Sequence, residues 1–255
     1  MKILIPLPRF DFDPTEVAIP WALVTNAGHE VRFSTPDGKP GEADPRMTTG
    51  EGLGILKRLL MADHLALKAY SDLVNDPLFH EPVPYADLAP DDVDGVILPG
   101  GHAPGMKEYL ESETLQRLVC EIFESNKPTG AICHGVLLAA RCTSNKTGKS
   151  ILHGRKTTSL TKMLELTGWA LTCLWLGDYY RTYPVTVQEE VTAALAAPDD
   201  FIPGPTPILR DRPGKLSRGF VVRDGNYVSA RWPGDAHRFA TAFIQLLDGT
   251  SEPEL

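Results

Sequence analysis

The sequence predicts an α/β fold in which a doubly wound, mostly parallel sheet is flanked by helices. The main observation is an alternation of two patterns. Short apolar runs typical of buried strands lie at residues 2–7, 31–34, 94–98 and 127–132, and stretches with helical spacing of apolar residues separate them. Strands that alternate with helices pair in parallel within one sheet. The second observation is length, because 255 residues can bury one large core.

The N-terminal strand and helix carry clear boundary signals. The apolar run at residues 2–7 predicts the first buried strand. Asp13 can cap the helix that follows, Pro14 fits its first turn, and Gly28 is expected to end it. The run at residues 31–34 predicts the second strand, and the Pro- and Gly-rich stretch after it has a composition typical of turns.

A leucine-rich stretch at residues 51–74 has helical spacing and predicts a long helix. It belongs to an insertion at about residues 47–85, which we interpret as a small helical cap segment beside the sheet. The third predicted strand is then followed by a helix at 114–125, and the fourth predicted strand by a helix at 136–141. The central strands and their helices therefore continue the doubly wound pattern.

The pattern weakens in the C-terminal part of the chain. A strand is expected at 156–160 and a short helix at 161–166. A hairpin turns at residues 224–226, and Asp235 is expected to cap a last helix that ends at Leu247.

The chain contains no internal repeat and no linker long enough to divide it. We interpret residues 1–248 as one domain, with a C-terminal elaboration at about 170–215. Residues 249–255 are expected to form a flexible acidic tail.

Composition excludes several classes of partner. The chain has 25 Lys and Arg against 33 Asp and Glu, a formal net charge of −8, whereas proteins that bind nucleic acid or anionic membrane usually gather basic residues. No apolar run reaches the roughly 18 residues that span a bilayer, and the apolar run at the N-terminus is too short for the hydrophobic region of a secretory signal. We therefore expect a cytoplasmic protein whose four cysteines are reduced.

The segment Gly-Ala-Ile-Cys-His-Gly at residues 130–135 places Cys133 where a buried strand passes into a helix. Such a junction projects its central residue into the crevice at the carboxyl ends of the strands, where open α/β sheets bind ligands. The amides and dipole of a helix N-terminus favour a thiolate. Cys133 is therefore a candidate nucleophile. The alternative is a small buried hydrophobe, the usual role of a lone cysteine.

His134 is a candidate base, provided that a carboxylate orients it. Gly100, Gly101 and His102 end the third predicted strand and are candidate oxyanion or substrate-binding residues, because amides there and at His134 could surround a negative oxygen. The alternative is a plain turn. No cluster of His, Cys and Asp has metal-ligand spacing, so no metal site is predicted.

Two motifs together resemble a known family. Pro-Gly-Gly-His-Ala-Pro-Gly at residues 99–105, followed by Ala-Ile-Cys-His-Gly at 131–135, is similar to the DJ-1/ThiJ/PfpI superfamily. The similarity includes segments 14–20 and 27–38, and the cap segment resembles that of the Hsp31-like branch. The resemblance implies a flavodoxin-like, class I glutamine amidotransferase-like fold, a homodimer and chemistry without a cofactor.

The resemblance also implies roles for two acidic residues. Family members hold a protonated glutamate against the catalytic sulfur, and Glu16 matches it; without the resemblance, Glu16 would be a solvated carboxylate on a helix face. A neutral carboxyl group can donate a hydrogen bond to a thiolate. In the Hsp31-like branch an acidic residue orients the histidine. Glu165 lies nearest to the matching position, although it could simply decorate a short helix.

Three functions remain open from the sequence. The first, implied by the resemblance, is a glutathione-independent glyoxalase or deglycase, in which Cys133 attacks a small reactive carbonyl such as methylglyoxal, which becomes lactate. The second is an intracellular cysteine peptidase or amidase that uses the same thiolate. The third is a stress-response chaperone or redox sensor, in which Cys133 is oxidised without turnover.

Overall fold

The computed structural model describes residues 1–250 and confirms the predicted fold class. A seven-stranded sheet has the order β5-β3-β1-β6-β7-β9-β8, in which every neighbouring pair is parallel except β8 and β9. A separate parallel pair joins β2 and β4. The strands are β1 (Lys2–Pro6), β2 (Phe10–Phe12), β3 (Glu30–Thr35), β4 (Glu42–Ala43), β5 (Val83–Pro84), β6 (Gly95–Leu98), β7 (Thr129–Ile132), β8 (Val221–Asp224) and β9 (Tyr227–Ala230).

Helices cover the sheet in two groups. α1 packs against α4 and α11, while α8 packs against α6, α7 and α10. The helices are α1 (Pro14–Asn26), α2 (Pro45–Thr49), α3 (Lys57–Leu60), α4 (His64–Leu73), α5 (Pro77–His80), α6 (Met106–Leu110), α7 (Glu113–Glu124), α8 (His134–Arg141), α9 (Lys162–Leu176), α10 (Val187–Ala194) and α11 (Ala236–Leu247). None of the helices within residues 1–250 combines the length and apolarity needed to span a bilayer.

The strand order places the ends of β1, β6 and β7 side by side. All residues of β6 and β7 are buried, as expected for central parallel strands. The winding direction reverses between β1 and β6, because β3 lies on one side of β1 and β6 on the other. The loops after these strands therefore open into the crevice where such sheets bind ligands.

The predicted boundaries of α1 are confirmed. The Asp13 carboxylate accepts hydrogen bonds from the amides of Thr15 and Glu16, and Pro14 lies in the first turn. Gly28 follows the helix with a φ of 87°, a conformation that glycine adopts without strain. The hairpin of β8 and β9 also matches its prediction.

The predicted long helix at residues 51–74 is wrong. α3 and α4 cover part of that stretch, and α2 lies just before it. Gly50, Gly52 and Gly54 all have positive φ between 53° and 72°, so they break the helical path. Asp63 then starts α4 by accepting hydrogen bonds from two amides of its first turn.

The C-terminal part also differs from expectation. The short helix expected at 161–166 continues for 15 residues as α9, and the strand expected at 156–160 is only a single bridge at Thr157. Asp235 does not cap α11 through its side chain. The Asp211 carboxylate accepts from the amides of His237 and Arg238 instead. Apart from Gly249 and Thr250, the expected tail lies outside the described residues.

Candidate active site

Cys133 occupies the sharp turn between β7 and α8. Its φ of 57° and ψ of −121° are unusual for a residue with a side chain. Neighbouring glycines permit the turn. A Cβ on Gly135 would lie 1.9 Å from the Leu98 carbonyl oxygen, and one on Gly100 would lie 2.6 Å from the His134 nitrogen. The predicted strand-to-helix junction is therefore present.

Glu16 lies beside this turn and is completely buried. Its Oε2 accepts a hydrogen bond of 2.8 Å from the Gly100 amide, and its carboxyl group interacts with the Cys133 thiol. Burial, with the nearby charge of Asp13, raises the pKa of Glu16 well above its ordinary value. Burial therefore favours the protonated form of Glu16. Its Oε1 is buried and has no hydrogen-bond partner among residues 1–250, so a proton on this oxygen is free to be donated to a thiolate at Cys133.

The Cys133 sulfur is not the exposed thiolate that the sequence predicts. The residue has no exposed surface. Burial raises the pKa of its thiol well above the ordinary value, and negative charge on Glu16 or Asp13 would raise it further, while the His134 amide lowers it. A protonated Glu16 removes part of that repulsion. The resting state is thus a buried thiol, and its ionisation must be coupled to a proton acceptor.

The ring of His134 provides that acceptor. Its Nδ1 lies 3.5 Å from the Cys133 sulfur, and its Nε2 lies 3.2 Å from Thr182 Oγ1. Thr182 has one hydroxyl proton and donates it to the His102 carbonyl at 2.7 Å. Nε2 must therefore carry the hydrogen, which leaves the lone pair of Nδ1 facing the thiol. Burial holds the pKa of His134 well below its ordinary value, so the ring is neutral.

Glu165 does not orient His134, which contradicts the role carried over from the resemblance. Its carboxylate accepts a hydrogen bond of 2.8 Å from the Val187 amide, at the start of α10. Glu165 therefore caps a neighbouring helix. The residue that bonds the histidine is Thr182, a neutral partner that fixes the tautomer but does not stabilise a charged ring.

The next residue, Tyr183, makes contacts that hold Thr182 in place. The hydroxyl of Tyr183 accepts a hydrogen bond of 2.9 Å from Arg141 and donates one of 2.7 Å to Glu111. The Arg141 guanidinium also lies 4.3 Å from the centre of the Tyr183 ring. Because Arg141 is the last residue of α8, the helix that starts at His134 also anchors the loop that orients it.

The predicted oxyanion donors are only partly available. The Gly100 amide is engaged by Glu16, so it cannot also bind a substrate oxygen. The amides of Gly101 and His134 remain as candidate donors. His102 contributes its side chain: its ring lies 5.0 Å from that of His134 and borders the adjacent pocket. Burial lowers the pKa of His102 to about 4, so this ring is also neutral.

A pocket of about 280 Å³ lies next to these residues. His102, Tyr180 and Asp13 are among its lining residues, whereas Cys133 is not, and the His102 ring also contacts that of His134. Leu59 of the cap segment and Leu164 of α9 line other parts of the wall. Because Cys133 has no accessible surface, the surrounding structure must open before a substrate can contact its sulfur.

Ligand-type atoms of His102, Cys133 and His134 lie within 4.8 Å of one another. These nitrogen and sulfur donors suit a soft metal such as Zn²⁺, a grouping that the sequence analysis missed because His102 is 31 positions before Cys133. A metal there would occupy the atoms that exchange the thiol proton. Metal binding and thiol catalysis would therefore exclude each other at this site.

Thr182 also carries no signal in the sequence. It lies in an irregular, tyrosine-rich loop 48 residues after His134, and threonine is common in such loops. One of the tyrosines of this loop, Tyr180, lines the pocket. Only the fold brings Thr182 to the histidine.

Comparisons with known proteins agree with the architecture and the motifs. The family model described as ThiJ/PfpI family-like matches residues 7–205. A deglycase of Thermococcus kodakarensis is 28% identical over 165 residues, which cover 64% of this chain and 68% of that protein. The deglycase PfpI of Pyrococcus furiosus is 24% identical over 97% of this chain and 99% of its own length. The crystal structure of glyoxalase III from Candida albicans superposes with a TM-score of 0.63 at 21% identity, covering 96% of this chain and 97% of that one. The chain belongs to the ThiJ/PfpI family.

Proposed function

We propose that the protein is a cofactor-independent enzyme that uses Cys133 to transform small reactive carbonyl compounds, as a glyoxalase or a related deglycase. The observation that carries the proposal is that the Cys133 sulfur lies beside both the buried Glu16 carboxyl group and the Nδ1 of His134. The relatives named deglycase and glyoxalase support the same class of substrate.

The geometry suits a reaction that begins and ends with neutral groups. His134 Nδ1 takes the Cys133 proton as the sulfur adds to the aldehyde carbon of methylglyoxal, and this proton passes to the former carbonyl oxygen. The product is a hemithioacetal. His134 then moves the C–H proton of the hemithioacetal carbon to the neighbouring carbon, while the hemithioacetal O–H proton passes to the ketone oxygen. The ketone becomes a hydroxyl group, and the hemithioacetal carbon becomes the carbonyl carbon of a lactoyl thioester. Water hydrolyses the thioester, which releases lactate and restores the thiol.

Glu16 and the backbone amides stabilise the charges that develop on this path. The Glu16 proton can be shared with the sulfur whenever the thiolate forms or leaves. The Gly101 and His134 amides are the proposed donors to the substrate oxygen. Because His134 bonds to a threonine, a lasting imidazolium is disfavoured, which fits brief proton transfer between adjacent carbons better than protonation of an amine leaving group.

The buried sulfur also argues against the peptidase alternative. A peptide backbone needs an open groove beside the nucleophile, whereas Cys133 has no exposed surface and is not among the residues that line the adjacent pocket. A small aldehyde needs a much smaller opening. These observations favour the carbonyl reaction over cleavage of a polypeptide.

The test measures methylglyoxal loss and lactate formation by NMR with the parent protein, Cys133→Ser and Cys173→Ser. Cys173, half-buried in α9, provides a matched control for the substitution. We expect lactate from the parent and from Cys173→Ser, and none above the uncatalysed rate from Cys133→Ser. Equal rates with Cys133→Ser would refute the proposal. Release from fluorogenic peptides without lactate would identify a hydrolase, and peroxide oxidation of Cys133 without turnover would identify a sensor.

A further inference from the structure

The pocket beside the active site is larger and more apolar than methylglyoxal requires. Its volume of about 280 Å³ corresponds to about nine groups of water or methylene size at about 30 Å³ each. Methylglyoxal has only five non-hydrogen atoms. Most of the lining side chains are aliphatic or aromatic, and Leu59 and Ile208 extend this surface to an exposed mouth, where they are 63% and 87% accessible.

Arg210 provides one cationic group in this apolar wall. Its Nη2 donates to the Met61 carbonyl at 3.1 Å, and its guanidinium carbon lies 5.7 Å from the centre of the Trp232 ring. Its Nη1 is also buried but has no hydrogen-bond partner within residues 1–250. A buried N–H donor without a partner is unfavourable. A ligand acceptor would relieve this cost once the Arg210 side chain, which lines the pocket, turns Nη1 toward it.

Asp13 is the acidic residue that shares the pocket with Arg210. Its Oδ1 accepts hydrogen bonds from the Thr15 and Glu16 amides at the start of α1. The charges of Asp13 and Arg210 influence each other, but no ion pair within 4.0 Å joins them in the described part of the chain. Oδ1 of Asp13 is thus committed to α1, and Nη1 of Arg210 has no hydrogen bond to either carboxylate oxygen within residues 1–250.

We propose that this pocket selects carbonyl compounds with an aliphatic body of several carbons and a carboxylate at the far end, which binds Arg210 Nη1. The aliphatic body packs against the leucine side chains, and the carbonyl end points toward His102 and Cys133. A guanidinium group binds a carboxylate with good geometry and charge complementarity. The substrate half of this inference rests on the proposed function, but binding of the carboxylate does not.

Binding is measured first, without any reaction. Octanoate and octanol, which share an eight-carbon chain, are titrated by calorimetry into Cys133→Ser, and into the same protein carrying Arg210→Met, Arg210→Lys or Arg212→Met. Arg212 is an exposed arginine two positions away and controls for lost charge. We expect octanoate to bind at least about tenfold more tightly than octanol, and Arg210→Met to remove this preference. Arg212→Met should keep it.

Octanol affinity shows in each variant whether the apolar pocket has folded, and Arg210→Lys tests whether charge alone suffices. Equal affinities for octanoate and octanol, or an octanoate preference unchanged in Arg210→Met, would overturn the inference.

Turnover then separates this inference from the proposed function. The substrates are 6,7-dioxoheptanoate and 2-oxoheptanal, which differ only in a carboxylate in place of a terminal methyl group. We expect a higher kcat/KM for the carboxylate, and loss of this difference in Arg210→Met. Turnover of both compounds at equal kcat/KM would retain the proposed function but refute the substrate class. Binding of octanoate with no turnover of either compound would refute the proposed function and leave the anion site supported.

Discussion

Replacing Thr182 by valine tests the arrangement of the histidine. Valine keeps the shape of threonine, but it removes the acceptor 3.2 Å from His134 Nε2 and the donor 2.7 Å from the His102 carbonyl. A buried donor left without a partner costs about 1–3 kcal/mol. If that cost falls on the productive tautomer, kcat/KM for methylglyoxal should fall by about 5- to 150-fold, because 1.4 kcal/mol corresponds to about a factor of ten.

Two measurements check this prediction. Kinetics should show the loss in Thr182→Val and near-parent activity in Thr182→Ser, which keeps the hydroxyl group. The ¹⁵N NMR shifts of His134 report its tautomer directly, and in Thr182→Val we expect hydrogen to move from Nε2 toward Nδ1. A valine variant with parent activity and an unchanged tautomer would refute the assignment of Thr182 as the positioning residue.

Three further predictions concern stability. Because burial raises the pKa of Glu16 above its ordinary value of 4.5, the folded state loses stability as pH rises from that value to the folded-state pKa and stays constant above it. In urea titrations from pH 4 upward, the stability difference should therefore shift in favour of Glu16→Gln, by at most about 1.4 kcal/mol per pH unit, until it levels off. Gly135→Ala would place a Cβ 1.9 Å from the Leu98 carbonyl oxygen, and thermal unfolding should show a loss of about 3 kcal/mol or more. Arg231→Met would leave Asp235 buried without its ion-pair partner, so urea unfolding should show a loss of about 3–5 kcal/mol.

Each of these substitutions has a control. Glu121→Gln changes an exposed carboxylate of α7 instead of the buried one beside the sulfur. Gly168→Ala adds a Cβ that meets nothing within 4 Å inside α9, and it should stabilise the protein by about 0.5–1 kcal/mol. Lys68→Met breaks an exposed i,i+4 pair worth about 0.3–0.5 kcal/mol. A Glu16→Gln difference independent of pH, or losses at Gly135 and Arg231 no larger than their controls, would contradict the reasoning.

Local patterns predict those parts of the site that a few consecutive residues determine. The turn at Cys133 could be predicted because a buried strand, a helix and small residues meet within residues 130–135. The cap at Asp13 is also local, since its partners are two and three residues away. Glu16 is different: its side chain reaches the loop after β6, 84 residues away, and only the family resemblance singled it out.

The features that the sequence failed to predict depend on distant contacts. Thr182 and Arg210 lie in irregular segments, where no periodic pattern indicates which way a side chain points. The wrong assignment of Glu165 has the same cause. Its position in the sequence does not show that its carboxylate lies next to the Val187 amide and not next to the His134 ring. Burial of the Cys133 sulfur likewise depends on packing from several elements. The sequence showed the helix N-terminus, which lowers the pKa of the thiol, but not the burial that raises it.

The complete burial of Cys133 determines how quickly this thiol can meet any molecule from solvent. An electrophile reacts only during the fraction of time in which the site is open, so the observed rate constant is the intrinsic one multiplied by that fraction. Alkylation with reagents of increasing size would therefore measure the free energy of opening. The partly accessible Cys173 in the same molecule provides the unhindered reference.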